Sequence, residues 1–425
     1  MKKWNAGLLL AAFLLTSCAP TYSKDRVVEG VVSLCKRDYG LQVKAQLVQT
    51  TLGVLVSIPG LMDELMEGAV SSGGMPIPAP VKVEGQYEKE RFNFQFLTLG
   101  SLTRAPKADP DDSGRPSERK HPALDKLGQV HQVLFRVASS TDAVVEFYTV
   151  IARDPAAGFD IIYSGHINDI KQAQFWAISQ GELQRRSRAG VRFQPELLAR
   201  QTVKEFLQDL VARPLPQLLS RYAAPTKRFG ELLPKILDCA VDIQGREKVL
   251  SESEWPARQI GENEAIVYVP LSPIHKPGAY LFTVLLTEKQ GFLLDLEKLE
   301  TPILPSRYRE FGPPQEWGKS FYLQPISLPI FLTDQITKRV LSEFRPIEPE
   351  SKSKKGKKEE QKPVSNEEVT RVVMETSAYV LHSYQFTNFE GLTVTDTSKG
   401  TRWQISSKDL DLYRQGNPPP LKPAP

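Results

Sequence analysis

The sequence predicts an α+β protein built from several small modules, each a helix plus an antiparallel hairpin, joined by proline-rich and charged linkers. Three observations predict it. Apolar residues recur at helical spacing and then switch to strict alternation, and this happens twice before residue 180. In the middle of the chain helical stripes come first and strands afterwards, an order that argues for α+β. The 33 prolines cluster between the periodic segments rather than within them, the mark of compact units on stiff connections.

Residues 24–38 read as a helix, with Val28, Val31, Val32 and Cys35 on one face. Leu41, Val43, Ala45 and Leu47 then alternate with polar residues, and Leu52, Val54, Val56 and Ile58 alternate again after Gln49-Thr50-Thr51, which predicts a hairpin. Met62 to Met66 starts another short helix after Pro59-Gly60. Phe92, Phe94 and Phe96 predict one more strand between two linkers at 71–82 and 104–122. The first pattern then returns. Leu124, Leu127, His131 and Leu134 form a helical stripe, Val145 to Ile151 and Phe159 to Tyr163 are paired strands about the Asp154–Gly158 turn, and Asn168 to Ile178 is helical. Two copies of helix, hairpin, helix are expected within 18–190.

A middle domain spans 195–305. Val203, Phe206, Leu207 and Leu210 sit on one helical face, Leu215, Leu218, Leu219 and Tyr222 repeat the spacing, and Phe229 to Leu237 adds a third helix. Strands are expected at 265–271, 279–287 and 291–296. This order, closed by Gly291-Phe292-Leu293-Leu294-Asp295, resembles the cone-shaped α+β superfamily of ketosteroid isomerase and scytalone dehydratase; the resemblance covers about a hundred residues and carries over no catalytic residue. It implies a pocket under the middle-domain helices, hence an alternative reading as an envelope enzyme or small-molecule binder. A connecting segment (306–347) and a lysine- and glutamate-rich linker (348–363) follow. The region 364–415 carries a helix on Val369, Val372, Val373, Thr376 and Val380, strands near 383–386, 392–395 and 401–405, and a short helix at 408–413. A proline-rich tail, 416–425, ends the chain.

Lys2 and Lys3, the apolar run Ala6 to Leu15 and the small residues after it have the layout of a secretory signal peptide, residues 1–17. The run is too short to span a bilayer, which takes about 20 apolar residues. Leu15-Thr16-Ser17-Cys18 resembles the lipobox of bacterial lipoproteins, a resemblance confined to about the first twenty residues. It implies cleavage before Cys18 and lipid on that cysteine, so the expected partners are a membrane and other envelope proteins. Ala19, in place of an aspartate, implies outer-membrane sorting where the source has two membranes. A non-catalytic binding or scaffolding role is expected.

The formal charge is +4; without Lys2 and Lys3 the remainder stands at 4 − 2 = +2, with no global field to attract nucleic acid. After Cys18 only Cys35 and Cys239 remain, either a single disulfide or, for Cys35, a small core residue. The histidines His121, His131, His166, His275 and His382 lie far apart and never at metal-ligand spacing, so no metal and no cofactor is expected. No phosphate loop and no nucleophile elbow is found, so no catalytic residue is expected. Ser33-Leu34-Cys35-Lys36 matches the serine–lysine spacing of penicillin-recognising enzymes without their other two motifs. Glu146, Asp160, Asp169 and Asp295 are carboxylates whose convergence the sequence does not decide. Arg185, Arg186, Arg188 and Arg192 bracket an expected loop, and Lys352, Lys354, Lys355, Lys357 and Lys358 occupy the late linker; either cluster offers charge to anionic headgroups.

Overall fold

The computed structural model describes residues 21–71, 80–105, 122–244, 255–271, 278–287, 291–301, 303–347, 363–420 and 423. In chain order its elements begin with α1 (Val27–Tyr39), β1 (Val43–Val48), β2 (Thr51–Ser57), α2 (Leu61–Ser71), β3 (Val81–Glu88), β4 (Arg91–Thr98) and β5 (Leu102–Arg104). Next come α3 (Pro122–Ser139), β6 (Phe147–Asp154), β7 (Phe159–His166), α4 (Ile167–Gln174), α5 (Gln180–Arg186) and β8 (Arg188–Phe193). The middle of the chain forms α6 (Pro195–Ala212), α7 (Leu215–Tyr222), α8 (Phe229–Gln244) and strands β9 (Ala257–Gly261), β10 (Glu264–Leu271), β11 (Gly278–Thr287) and β12 (Gly291–Glu300). Last are α9 (Pro305–Phe311), α10 (Leu328–Ser342), β13 (Phe344–Pro346), α11 (Asn366–Ser383), β14 (Gly391–Asp396), β15 (Thr401–Ser406) and α12 (Ser407–Arg414). The protein is α+β, and no described helix is long and apolar enough to cross a membrane.

These elements form two compact units. The first takes in the described residues of Met1–Met66, His121–Ile178 and Ser187–Pro325. Its five-stranded sheet has the order β1-β2-β6-β7-β8. Each expected hairpin forms by itself, with Val48 opposite Thr51 and Asp154 opposite Phe159. The two hairpins are joined through a parallel pair, β2 with β6, in which Thr51 faces Phe147 and Ser57 faces Arg153. Helix α1 stops where Gly40 adopts φ +67°, a conformation that costs glycine little, and the Gly40 and Leu41 N–H groups reach back to the Lys36 and Cys35 carbonyls. Its apolar face, Val27, Val31, Leu34 and Cys35, is buried, as is the Val130, Val133, Leu134 and Val137 stripe of α3.

The same unit holds the antiparallel meander β12-β11-β10-β9, covered on one face by α6, α7 and α8. Val203, Phe206, Leu207, Leu218, Tyr222 and Ile236 fill the space over Tyr280, Phe282 and Val284. On the opposite face Trp317 packs against Ile266 and Leu281. The expected strands are all present, with β9 in addition. Its Ala257 and Gln259 pair with Val267 and Ala265, where short length left little alternation to read.

The second unit takes in the described residues of Glu67–Lys120, Ser179–Arg186 and Ile326–Pro425. Its main sheet has the order β15-β14-β4-β3 and repeats the plan of the first: two antiparallel hairpins joined by a parallel pair, here β4 with β14, Gly391 facing Arg91 and Asp396 facing Phe96. Helix α10 lies on β3 and against α11. The hairpin at 81–98 thus shares a sheet with strands that follow it by about three hundred residues.

Three expectations need correction. The strand on Phe92–Phe96 is half of a hairpin, because Val81, Val83 and Tyr87 also alternate with polar residues. Ser383–Phe386 is not a strand: Gln385 takes φ +53°, and the Gln385 and Phe386 N–H groups bond the His382 and Leu381 carbonyls, closing the end of α11. The four arginines do not bracket a loop, since Arg185 and Arg186 end α5 and Arg188 and Arg192 lie on the edge strand β8.

Candidate functional site

The site candidate is a cleft of about 270 Å³ in the second unit, at the end of α11, the loop after it and the length of α12. Helix α11 is fixed at its beginning by Ser365, whose side chain accepts the Glu368 N–H, and α12 by Ser406, which accepts the Asp409 N–H and donates to the Asp409 carboxylate. Apolar residues line one side: Leu381 and Leu410, both buried, with Phe386 and Phe389. The two phenylalanines stack with centroids 6.1 Å apart and planes 17° apart. Both stand edge-on to the buried Phe92 of β4, at 5.8 and 5.7 Å, so the hairpin β3–β4 sets the aromatic wall.

The polar side carries Lys408, Arg414, His382 and Asp411. Arg414 Nη1 lies 2.7 Å from His382 Nδ1. A guanidinium has only donors, so this nitrogen is the acceptor. Arg414 forms no ion pair with a carboxylate among the described residues, which leaves its charge at the cleft compensated only by solvent and the nearby Asp411. Positive charge beside an aromatic and aliphatic wall suits an anionic group carried on an apolar stem.

The residues singled out from sequence are dispersed. Cys18 and the lysines 352–358 lie outside the described residues, as do His121 and His275. Cys35 is a free, buried thiol; burial first, and Asp38 next, push its pKa up to about 11, so it stays protonated. The side chain of its expected partner, Cys239, lies outside the described residues. Ser33 of the serine–lysine pattern donates to the Gly30 carbonyl within its own helix. His131 packs edge-on to Tyr148 and Tyr163, its buried Nε2 has no partner, and burial drives its pKa down to about 4. His166 caps α4 by accepting the Asn168 N–H.

The carboxylates and arginines are tied into structure. Arg153 holds Asp160 at 2.8 Å and Glu196 of α6 at 3.0 Å, and Arg192 lies 3.6 Å from Asp160. Glu182 pairs with Arg185 and Arg186 within α5 and with Arg339 of α10. Burial opposes the Glu182 charge, yet the three guanidinium groups outweigh it and lower its pKa. Glu146 accepts from Thr50, Asp169 is buried and Asp295 pairs with Lys298. No three or more His, Cys, Asp or Glu side chains are grouped to hold a metal among the described residues.

The cleft residues escaped the sequence reading. Lys408, Asp411 and Arg414 look like the solvent face of a short helix, and the two phenylalanines fall in a segment read partly as a strand. Compared with protein-family models, with curated proteins and with solved structures, the chain matches none.

Proposed function

We propose that this chain is a lipid-anchored envelope protein, held through Cys18 on the periplasmic or surface side of an outer membrane, with a binding or scaffolding role rather than a catalytic one. The cleft of the second unit receives an acidic side chain or terminus of another envelope protein. One observation carries the reading: Arg414 lines an open cleft with the His382 ring nitrogen, not a carboxylate, as its hydrogen-bond partner, and Lys408, Phe386 and Phe389 line the same cleft. A charge-assisted hydrogen bond from guanidinium to carboxylate is about twice as strong as a neutral one, and the ring faces give an apolar stem somewhere to lie.

The test has two parts. Mass spectrometry of the mature amino terminus reads the lipid on Cys18. A photo-crosslinker placed at Thr387 on the cleft rim, in intact cells, reads the partner, compared with the same label in an Arg414→Ala, Lys408→Ala background. A discrete adduct lost in the double variant supports the reading. An unmodified amino terminus, or crosslinks indifferent to both substitutions, overturns it.

A further inference from the structure

Helix α4 ends in a turn that glycine normally completes. The Trp176 N–H bonds the Ala173 carbonyl and the Ala177 N–H bonds the Gln172 carbonyl, a closure whose pivotal residue must be left-handed. That residue is Trp176, at φ +59°. The other described non-glycine residues with positive φ are Gln49, Lys89, Glu90 and Gln385, all polar; Trp176 is the bulky aromatic among them. An indole in this position is strained, and it recovers nothing by burial, for Trp176 is 86% exposed and its neighbour Phe175 73% exposed. Local strain and an exposed aromatic pair coincide at one point of the first unit.

The place of that point on the unit is informative. Phe175 meets Phe135 of α3 with ring centroids 5.7 Å apart. Five residues further along the chain, the Ser140 carbonyl accepts the Tyr22 N–H, and Tyr22 forms a bridge with Thr141. Tyr22 is four residues from Cys18, and four residues of fully extended chain reach at most about 14 Å. A lipid on Cys18 therefore keeps this end of the unit next to the bilayer surface. Lys24 and Arg26, both exposed, follow immediately, and neither pairs with a carboxylate among the described residues. Cations at headgroup level and aromatic rings beneath them are the usual composition of a membrane-interface contact.

We propose that Phe175 and Trp176 insert into the headgroup–acyl boundary of the bilayer that carries the lipid anchor, orienting the first unit on that surface. This rests on the reading that Cys18 is lipidated. The full chain purified from membranes is reconstituted into phosphatidylethanolamine–phosphatidylglycerol vesicles, with and without brominated acyl chains, after mass spectrometry of its amino terminus. Trp255, Trp317 and Trp403 are buried, so the quencher-accessible emission of the mature protein reports Trp176, and Trp176→Gly gives the background. The expected result is blue-shifted emission quenched by brominated lipid and poorly reached by iodide, with that component lost in Trp176→Gly. The same variant should melt no lower than the parent, since glycine suits the turn; a lower melting temperature would show a folding role and overturn the proposal. Lipid on Cys18 with an indole that iodide quenches and bromolipid does not, or that neither reaches, overturns this inference and leaves the anchor standing. Absence of lipid on Cys18 overturns both.

Discussion

Arg153 on β6 grips Asp160 on β7 through two hydrogen bonds, 2.8 and 3.0 Å, and the same guanidinium reaches Glu196 on α6 at 3.0 Å. Asp160 is fully buried, and Arg192 lies 3.6 Å from it on the other side of the pairing. Both arginines lie close to one another, and removing the carboxylate leaves two cations with Glu196 alone. Asp160→Ala should therefore lower stability by about 3 kcal/mol, read as a drop in the urea midpoint with an unchanged slope. An unchanged midpoint would show that the network contributes only geometry.

Acid should weaken the first unit through its buried histidines. His131 is held near a pKa of about 4 by burial, against an ordinary value of 6.5, and burial also lowers His166. Between these values the unfolded chain binds a proton that the folded chain excludes, so stability falls as pH falls from 6.5 to 4 and the loss ceases below that. The His131 share is at most about 3 kcal/mol across the window. Urea denaturation at pH 7 and pH 4.5 measures it, and His131→Phe, which keeps a ring beside Tyr148 and Tyr163, should flatten the dependence.

Gly391 opens β14 where the backbone of β15 passes too close for any side chain. A Cβ there would strike the Ile405 carbonyl oxygen and crowd the Ser406 Cα, both backbone atoms. Gly391→Ala should cost about 1–3 kcal/mol, through strain in the β14–β15 pairing. Thermal unfolding followed by near-ultraviolet dichroism, sensitive to the buried Trp403, is a suitable readout. Gly40→Ala makes the comparison, because its Cβ would meet nothing within 4 Å and its cost is the left-handed backbone alone.

Trp176→Gly should raise stability by about 1 kcal/mol, the size of the penalty that left-handed backbone imposes on a residue with a Cβ. Differential scanning calorimetry of the detergent-solubilised protein would show it as an upward shift. A substitution that removes the largest side chain of its loop and yet stabilises would mean that the residue is kept for something other than folding.

The sequence by itself determined the local elements. The change of period at Leu41 and at Val145 marks where helix gives way to hairpin, and Asp154-Pro155-Ala156-Ala157-Gly158 closes its turn with Gly158 at φ +73° and Asp154 accepting the Ala156 N–H. Helical stripes such as Val203, Phe206 and Leu207 became buried faces because a 3.6-residue period leaves them one direction in which to lose water. Only the tertiary structure decided which strands lie side by side. Alternation says that Phe92 and Phe94 face a core; it does not say that Leu392 and Val394 will be their neighbours, because backbone hydrogen bonds across a parallel pair carry no side-chain code. The cleft depends on that pairing, since its aromatic wall rests on Phe92 while its cations come from Lys408 and Arg414. Trp176 shows the same division: its apolarity is plain in the sequence, whereas its left-handed backbone and its exposure are features of the fold.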